Sequence, residues 1–300
     1  MRRSLATSIA VLVLVLSTPR AASAFCRTTT CDPTVGECVP LDAPGCFSGG
    51  KHLSWTSRCV GFSVARAAGP GVALDAFETT ATKAFATWQA VTCNGAPVSL
   101  AFTDNGVVTC DKVEYNDAKP NAHVILFRRD MWPYMSATST IALTTVTFDR
   151  DTGAIVDADM ELNAIGNTFT TDDSVVEADL QSIITHEAGH FIGFSHSAVH
   201  SATMFFSYDK GSTSLRHLDA DDVAVACLAY PPDRAAACDP TPVNGFSPDC
   251  GAQQTTSPFT TQPPSGSSGC RFAAAGASPS FGWLGALFGA VFARRLRRRR

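Results

Sequence analysis

Residues 185–196 read Thr-His-Glu-Ala-Gly-His-Phe-Ile-Gly-Phe-Ser-His and determine how the rest of the 300-residue chain is interpreted. His186 and His190 are four residues apart. On an α-helix, side chains with this spacing lie on one face, one turn apart, so the two imidazoles can bind the same cation. Gly193 permits a left-handed turn that a side chain would oppose, and such a turn ends the helix and brings His196 back as a third ligand.

Glu187 directly follows the first histidine and lies on a neighbouring face of the helix. It can reach a water molecule at the metal without being a ligand, as expected of a general base. Three neutral imidazoles leave one position of a tetrahedral zinc ion open for water or substrate. The segment therefore predicts a hydrolytic zinc site with His186, His190 and His196 as ligands and Glu187 as the catalytic residue. A histidine on an apolar helix face is usually a core residue, but five specified residues at fixed spacings disfavour that explanation.

This segment resembles the metzincin metallopeptidases, whose pattern is His-Glu-x-x-His-x-x-Gly-x-x-His followed by a methionine turn. Met204 is the matching methionine, and the resemblance implies that it forms a hydrophobic base beneath the zinc and is not a ligand. The resemblance covers about residues 59–231. Further features similar to the matrixin branch are Ser197, Ala84-Phe85 with Trp88, and Leu218–Tyr230.

Hydrophobic patterning predicts three helices. The spacing of Phe77, Ala81, Phe85 and Trp88 indicates an amphipathic helix over residues 72–91. The others are expected over about Val176–Ile192, capped within residues 171–174, and over about Ala220–Ala229, where Asp219 and Asp222 form a capping box.

Five segments rich in β-branched residues are the candidate strands: Val60–Ala65, Val98–Thr103, His123–Phe127, Ile141–Phe148 and Ile155–Leu162. Together with the helices they predict the α+β fold class. The resemblance implies a zincin-like domain, in which a twisted sheet of roughly five strands carries the active-site helix. It also implies that residues 197–232 form a small C-terminal subdomain and that the substrate cleft lies between the two parts.

A protein or peptide substrate is expected to lie extended along an edge strand, Ile141–Phe148, because backbone pairing holds many sequences in register. Ala142 and Leu143 are the candidate substrate-binding residues. Calcium is a second possible cofactor, since the acids at positions 157, 159 and 161 alternate along one strand. Alternating acids on a strand more often form its solvent-exposed face.

The N-terminus predicts export. Met1-Arg2-Arg3, an apolar run over Ile9–Leu16 and Ala22-Ser23-Ala24 are the three parts of a secretory signal peptide, with cleavage after Ala24. All 11 cysteines lie downstream of that site, which fits an oxidising compartment. Cys93–Cys110 and Cys238–Cys250 are the expected local disulfides. The five cysteines from 26 to 59 cannot be paired from sequence, and because five is odd, one must reach elsewhere.

The predicted organisation is a signal peptide (1–24), a Cys-rich segment (25–58), the catalytic domain (59–232), a Pro/Ser/Thr-rich linker (233–270) and an apolar helix with an arginine-rich end (271–300). Phe272–Ala293 is almost free of charge, and six of the final seven residues are arginine, which is typical of a membrane helix with a positive cytoplasmic end. Together with Cys270, this tail resembles the myxobacterial type of surface-sorting tail.

Charge bears on the choice of partner. Without the nine arginines of residues 1–24 and 294–300, the 23 basic residues fall to 14 against 27 acidic ones, which disfavours nucleic acid. The expected partners are a peptide substrate and, through the tail, a membrane; the protein is expected to be a monomer. The alternative function is an inactive zinc-binding adhesion module, against which the retained Glu187 argues. A zinc hydrolase other than a peptidase is disfavoured by Gly193 and Met204 together.

Overall fold

A computed structural model describes residues 24–35, 38–134, 137–249, 271–272 and 292–295. The predicted signal peptide up to residue 23, most of the predicted linker and most of the apolar tail lie outside the described residues. Within the described ranges, no helix has the length and apolar character needed to cross a membrane.

Among the described residues the main sheet has seven strands, of which Ser54–Trp55 and Phe292–Arg295 are short additions. The other five correspond to the predicted ones with shifted ends: β1 (Cys59–Ala65), β2 (Ala101–Val108), β3 (Val124–Arg128), β4 (Ala142–Phe148) and β5 (Ala154–Asn163). Their order is β4-β5-β3-β1-β2. All neighbours are parallel except β4, which is antiparallel to β5. The predicted α+β class with about five strands is confirmed.

Strand β2 begins three residues later than predicted. Val98 donates its backbone N–H to the carbonyl of Val91 and Ser99 donates to that of Tyr230, both at 2.9 Å, so these two N–H groups bond outside the sheet. Ala101 is the first residue that pairs with β1.

The two described pieces of the predicted tail helix are short strands. Arg271–Phe272 pairs with Ser207–Tyr208, and Phe292–Arg295 pairs in parallel with the outer side of β4. The helix prediction is therefore wrong for these residues, because their backbone groups pair with neighbouring strands instead of with their own chain.

Helix α1 (Leu74–Gln89) buries the predicted apolar stripe. Phe85 stacks on Phe62 of β1 with ring centroids 4.3 Å apart and meets the ring of Phe191 edge-on at 5.2 Å. Fully burying an aromatic side chain of this kind contributes roughly 1.5–3 kcal/mol. Helix α1 thus connects the sheet to the helix that carries residues 186–190.

Helix α2 (Leu180–Phe191) begins later than predicted. Its N-cap is Asp179, whose side chain accepts the backbone N–H of the third helical residue at 2.8 Å. Capping within residues 171–174 is wrong, because residues 178–179 are extended and pair with a short strand upstream. The helix can start only after that pairing ends.

Helix α3 (Ala220–Ala229) agrees with the prediction, and the capping box of Asp219 and Asp222 is confirmed. A disulfide between Cys227 and Cys93 joins α3 to the residues that follow α1. Helix α3 is therefore covalently held against the N-terminal half of the domain.

The disulfides formed between described residues are Cys26–Cys46, Cys31–Cys38, Cys59–Cys238 and Cys93–Cys227. The predicted pairs Cys93–Cys110 and Cys238–Cys250 are wrong. Short loops are the easiest to close entropically, but the folded domain places Cys93 beside α3 and Cys238 beside β1. Of the five N-terminal cysteines, Cys59 is the one that pairs outside the group, as the odd number of cysteines in the group required.

Residues 233–249 lie against the domain, although the sequence assigned them to the linker. The guanidinium of Arg234 donates to the carbonyls of Trp55 at 2.7 Å, Ser57 at 3.1 Å and Ser99 at 3.0 Å. The Cys59–Cys238 disulfide attaches the same stretch to β1. Its composition resembles a linker, but these hydrogen bonds and the disulfide hold it against the domain.

Candidate metal centre

The three histidines predicted as ligands come together at the end of α2. Their candidate ligand atoms lie within 4.8 Å of one another, and all three side chains are buried. The ring centroids of His186 and His190 are 4.9 Å apart, as are those of His190 and His196. The cluster is compact enough for one ion to contact all three imidazoles.

Gly193 makes the turn that brings the third histidine back. Its φ is +92°, in the left-handed region, and it directly follows Ile192, the C-cap of α2. A Cβ atom at this position would also lie 2.7 Å from the carbonyl oxygen of Leu53. Both the backbone conformation and the available space therefore require glycine here, as the sequence predicted.

Each imidazole has its Nδ1 against a backbone carbonyl. The pairs are His186 with Thr203 at 2.6 Å, His190 with Phe194 at 2.8 Å and His196 with Pro44 at 2.9 Å. Because a carbonyl oxygen can only accept, Nδ1 carries the proton in each ring, and the lone pair of the neutral imidazole is on Nε2. This arrangement orients metal-binding histidines in general.

Burial keeps two of these rings neutral. It lowers the pKa of His186 to about 3 and that of His190 well below its ordinary value, and the neighbouring imidazoles lower both further. In the described part of the chain, the buried Nε2 atoms of these two residues have no hydrogen-bond partner. Buried polar atoms are rarely left in that state. A zinc ion bound to neutral imidazole nitrogens fits both observations.

The Glu187 side chain is fully buried in α2, and β4 holds it in place. The Thr144 hydroxyl lies 2.7 Å from Oε2 of Glu187 and donates to this carboxylate. The sequence did not identify Thr144, because a threonine in a strand has many ordinary roles. Ala142 and Leu143, on the same strand, are buried, and their predicted role in binding substrate stays a prediction.

The predicted methionine turn lies directly beneath α2. A Cβ atom on Gly189 would be 2.1 Å from Sδ of Met204, so helix and turn are in close contact. The carboxylate of Asp222 accepts the backbone N–H groups of Thr203 at 2.7 Å and Met204 at 3.1 Å. Asp222, recognised in the sequence only as a helix cap, therefore also holds the methionine turn, whose Thr203 carbonyl orients His186.

The three alternating acids of β5 are buried, so the expectation of a solvent-exposed face is wrong. Asp159 accepts backbone N–H groups from Val124 at 2.8 Å and Glu114 at 3.1 Å. Glu161 binds the side chains of Arg128 and Tyr134. Among the described residues, the histidine triad is the only convergent group of three metal-binding side chains, and the structure does not support calcium at β5.

Comparison with known proteins adds two findings. The model of the matrixin family matches residues 54–230 of this chain. The chain is also similar to Metalloendoproteinase 1-MMP of Arabidopsis thaliana, with 37% identity over 78 residues, which make up 25% of this chain and 21% of that protein. The match thus spans about a fifth of the length of this relative.

Proposed function

Because this chain belongs to the matrixin family, which is zinc-dependent, we propose that it is a zinc endopeptidase that hydrolyses peptide bonds in protein or peptide substrates. His186, His190 and His196 would hold the metal through Nε2. The observation that carries this proposal is the convergence of three buried imidazoles, each with its Nδ1 against a backbone carbonyl.

Zinc, when bound, supplies Lewis acidity that polarises the scissile carbonyl and lowers the pKa of the attacking water. Glu187 takes the proton from this water at its carboxylate and passes it to the nitrogen of the leaving amine. The Thr144 hydroxyl keeps the carboxylate in one orientation throughout. Met204 supports the helix from below and takes no part in proton transfer.

Substrate would lie extended along β4, the outermost of the five main strands. This strand carries Thr144, which connects it to the base, so a peptide paired with β4 would pass beside Glu187. In the structure, Phe292–Arg295 already pairs with the outer side of Thr145–Phe148. A substrate that uses the same residues would therefore have to displace this segment.

Export is part of the proposal. Four disulfides within the described ranges support folding in an oxidising compartment, where such bonds persist. The signal peptide and the membrane-anchoring tail remain predictions from sequence. Intact-mass analysis of the natural protein tests them, since a cytosolic species that still begins at Met1 would contradict export.

The decisive experiment uses Glu187→Gln. This variant should retain zinc, because all three imidazoles remain, but should lose nearly all hydrolysis of a peptide library. Glu78→Gln, on α1 and away from the cluster, is the matched control and should keep both properties. His196→Ala should instead lose zinc during dialysis against a mild chelator, since one of three ligands is gone.

Two outcomes would reject the proposal. Equal hydrolysis by wild-type protein and Glu187→Gln at matched zinc content would exclude Glu187 as the base. A zinc-loaded wild-type protein that cleaves no member of the library would favour the inactive adhesion module.

A further inference from the structure

The third histidine depends on a part of the chain far from the helix. The Nδ1 partners of His186 and His190 are 17 and 4 residues away in sequence, whereas Pro44, the partner of His196, is 152 residues away. Pro44 lies in the Cys-rich N-terminal segment, before the residues matched by the family model. The geometry of the metal centre is thus completed from outside the matched domain.

A disulfide holds the loop that carries Pro44. Cys46, two residues later, is bonded to Cys26. Within the loop, Leu41 donates its N–H to the carbonyl of Cys46 at 2.9 Å, and Cys46 donates to that of Ala43 at 3.0 Å. Cys26, Ala43 and Cys46 form a small buried cluster of their own. The position of the Pro44 carbonyl is therefore set by a closed, cross-linked loop.

Both sides of this disulfide also contact the residue just before His196. Ser195 donates its backbone N–H to the carbonyl of Cys26 at 3.0 Å, and its hydroxyl donates to the carbonyl of Gly45 at 3.0 Å. Two residues after Cys26, Thr28 donates its backbone N–H to the carbonyl of Gly193 at 2.9 Å. The turn from α2 to His196 is therefore held by the cross-linked segment along its whole length.

We propose that the loop closed by Cys26–Cys46 is a positioning element of the metal centre, and that zinc affinity depends on this disulfide. The inference rests on the proposed function, since it takes His196 as a zinc ligand. Loss of the disulfide frees the Pro44 carbonyl to move away, and the imidazole of His196 then loses the bond that sets its tautomer and orientation. Removing such an outer partner typically weakens metal binding about 10- to 100-fold.

The experiment compares two double variants of the full exported chain. Cys26→Ser with Cys46→Ser removes the proposed positioning disulfide, and Cys31→Ser with Cys38→Ser removes the other disulfide of the same segment. The dissociation constant for zinc is measured by competition with a chelator, and cobalt(II) substitution reports ligand geometry through its visible absorption. We expect about 10- to 100-fold weaker zinc binding and altered cobalt bands in the first variant only.

Zinc binding by the first variant equal to that of the wild type would overturn the inference, as would equal losses in both variants. If the first variant does not fold, Ser195→Ala keeps the disulfide and removes one hydrogen bond to the loop. It should weaken zinc binding about 2- to 10-fold, as loss of one such bond implies, and unchanged binding would overturn the inference. Zinc binding by a His186→Ala variant equal to that of the wild type would instead contradict the proposed function.

Discussion

Gly189 is the point at which the methionine turn contacts α2, and we expect Gly189→Ala to damage the site more than the fold. The added Cβ would lie 2.1 Å from Sδ of Met204 and 3.0 Å from Cζ2 of Trp88. Ordinary contact begins at 3.4 Å, so Sδ would have to move by about 1.3 Å, the difference from 2.1 Å. Both neighbours are buried in the core, with Met204 1% and Trp88 0% exposed.

The expected magnitude follows from two opposing effects. Overpacking of a well-packed core costs about 1–3 kcal/mol, whereas alanine in place of glycine favours the helix by about 1 kcal/mol. The free energy of unfolding should therefore fall by no more than about 2 kcal/mol. The displaced turn carries Thr203, whose carbonyl orients His186. Because a shift of about 1 Å in a catalytic group can cost on the order of 100-fold, kcat/KM should fall by that factor.

Urea denaturation gives the free energy of unfolding, and hydrolysis of a fluorogenic peptide gives kcat/KM. In the double variant Gly189→Ala with Met204→Ala, the clashing sulfur is absent, so the two stability losses should be less than additive. Strict additivity, or a Gly189→Ala variant with unchanged kcat/KM, would refute the argument that these two residues are in direct steric contact.

Four further predictions concern single interactions. Thr144→Val should lower kcat/KM about 10- to 100-fold at unchanged zinc content, because a hydrogen bond to a charged group is lost. Thr144→Ser keeps the hydroxyl and should retain activity. Full activity of the valine variant in a peptide assay would show that Thr144 does not position Glu187. Asp179→Ala should lower the free energy of unfolding by about 3 kcal/mol, because it removes a buried helix cap that is also paired with Arg216. A loss below about 1 kcal/mol in urea denaturation would contradict this prediction. Burial lowers the pKa of His123 from 6.5 to about 4, so the stability contributed by its neutral form is complete above pH 6.5 and is lost as the pH falls to about 4. His123→Gln should therefore weaken the acid dependence of unfolding of the metal-free protein. An unchanged acid dependence would contradict this role of His123. Replacing Cys93 and Cys227 by serine should lower the free energy of unfolding by about 5 kcal/mol in the chain-entropy model, because the cysteines are 134 residues apart. Equal urea midpoints for the variant and the wild type would contradict this prediction.

Features that depend on neighbours a few residues away could be predicted from the sequence. The spacing of His186 and His190, the left-handed turn at Gly193 and the cap at Asp219 follow from helix geometry, which repeats over three or four residues. The strands were also recognisable from a local pattern, their runs of β-branched residues, but their ends were not. The start of β2 depends on a contact with Tyr230, which no local pattern contains.

The parts of the site that only the tertiary structure decided connect residues far apart in the chain. Thr144 contacts Glu187 across 43 residues, and Pro44 contacts His196 across 152 residues. A backbone carbonyl or a common hydroxyl carries no signature in the sequence, because every residue has the former and many have the latter. The residues that can bind and use a metal were therefore evident from their spacing. What holds those residues in position was decided by the packing of the sheet, the helices and a cross-linked loop against one another.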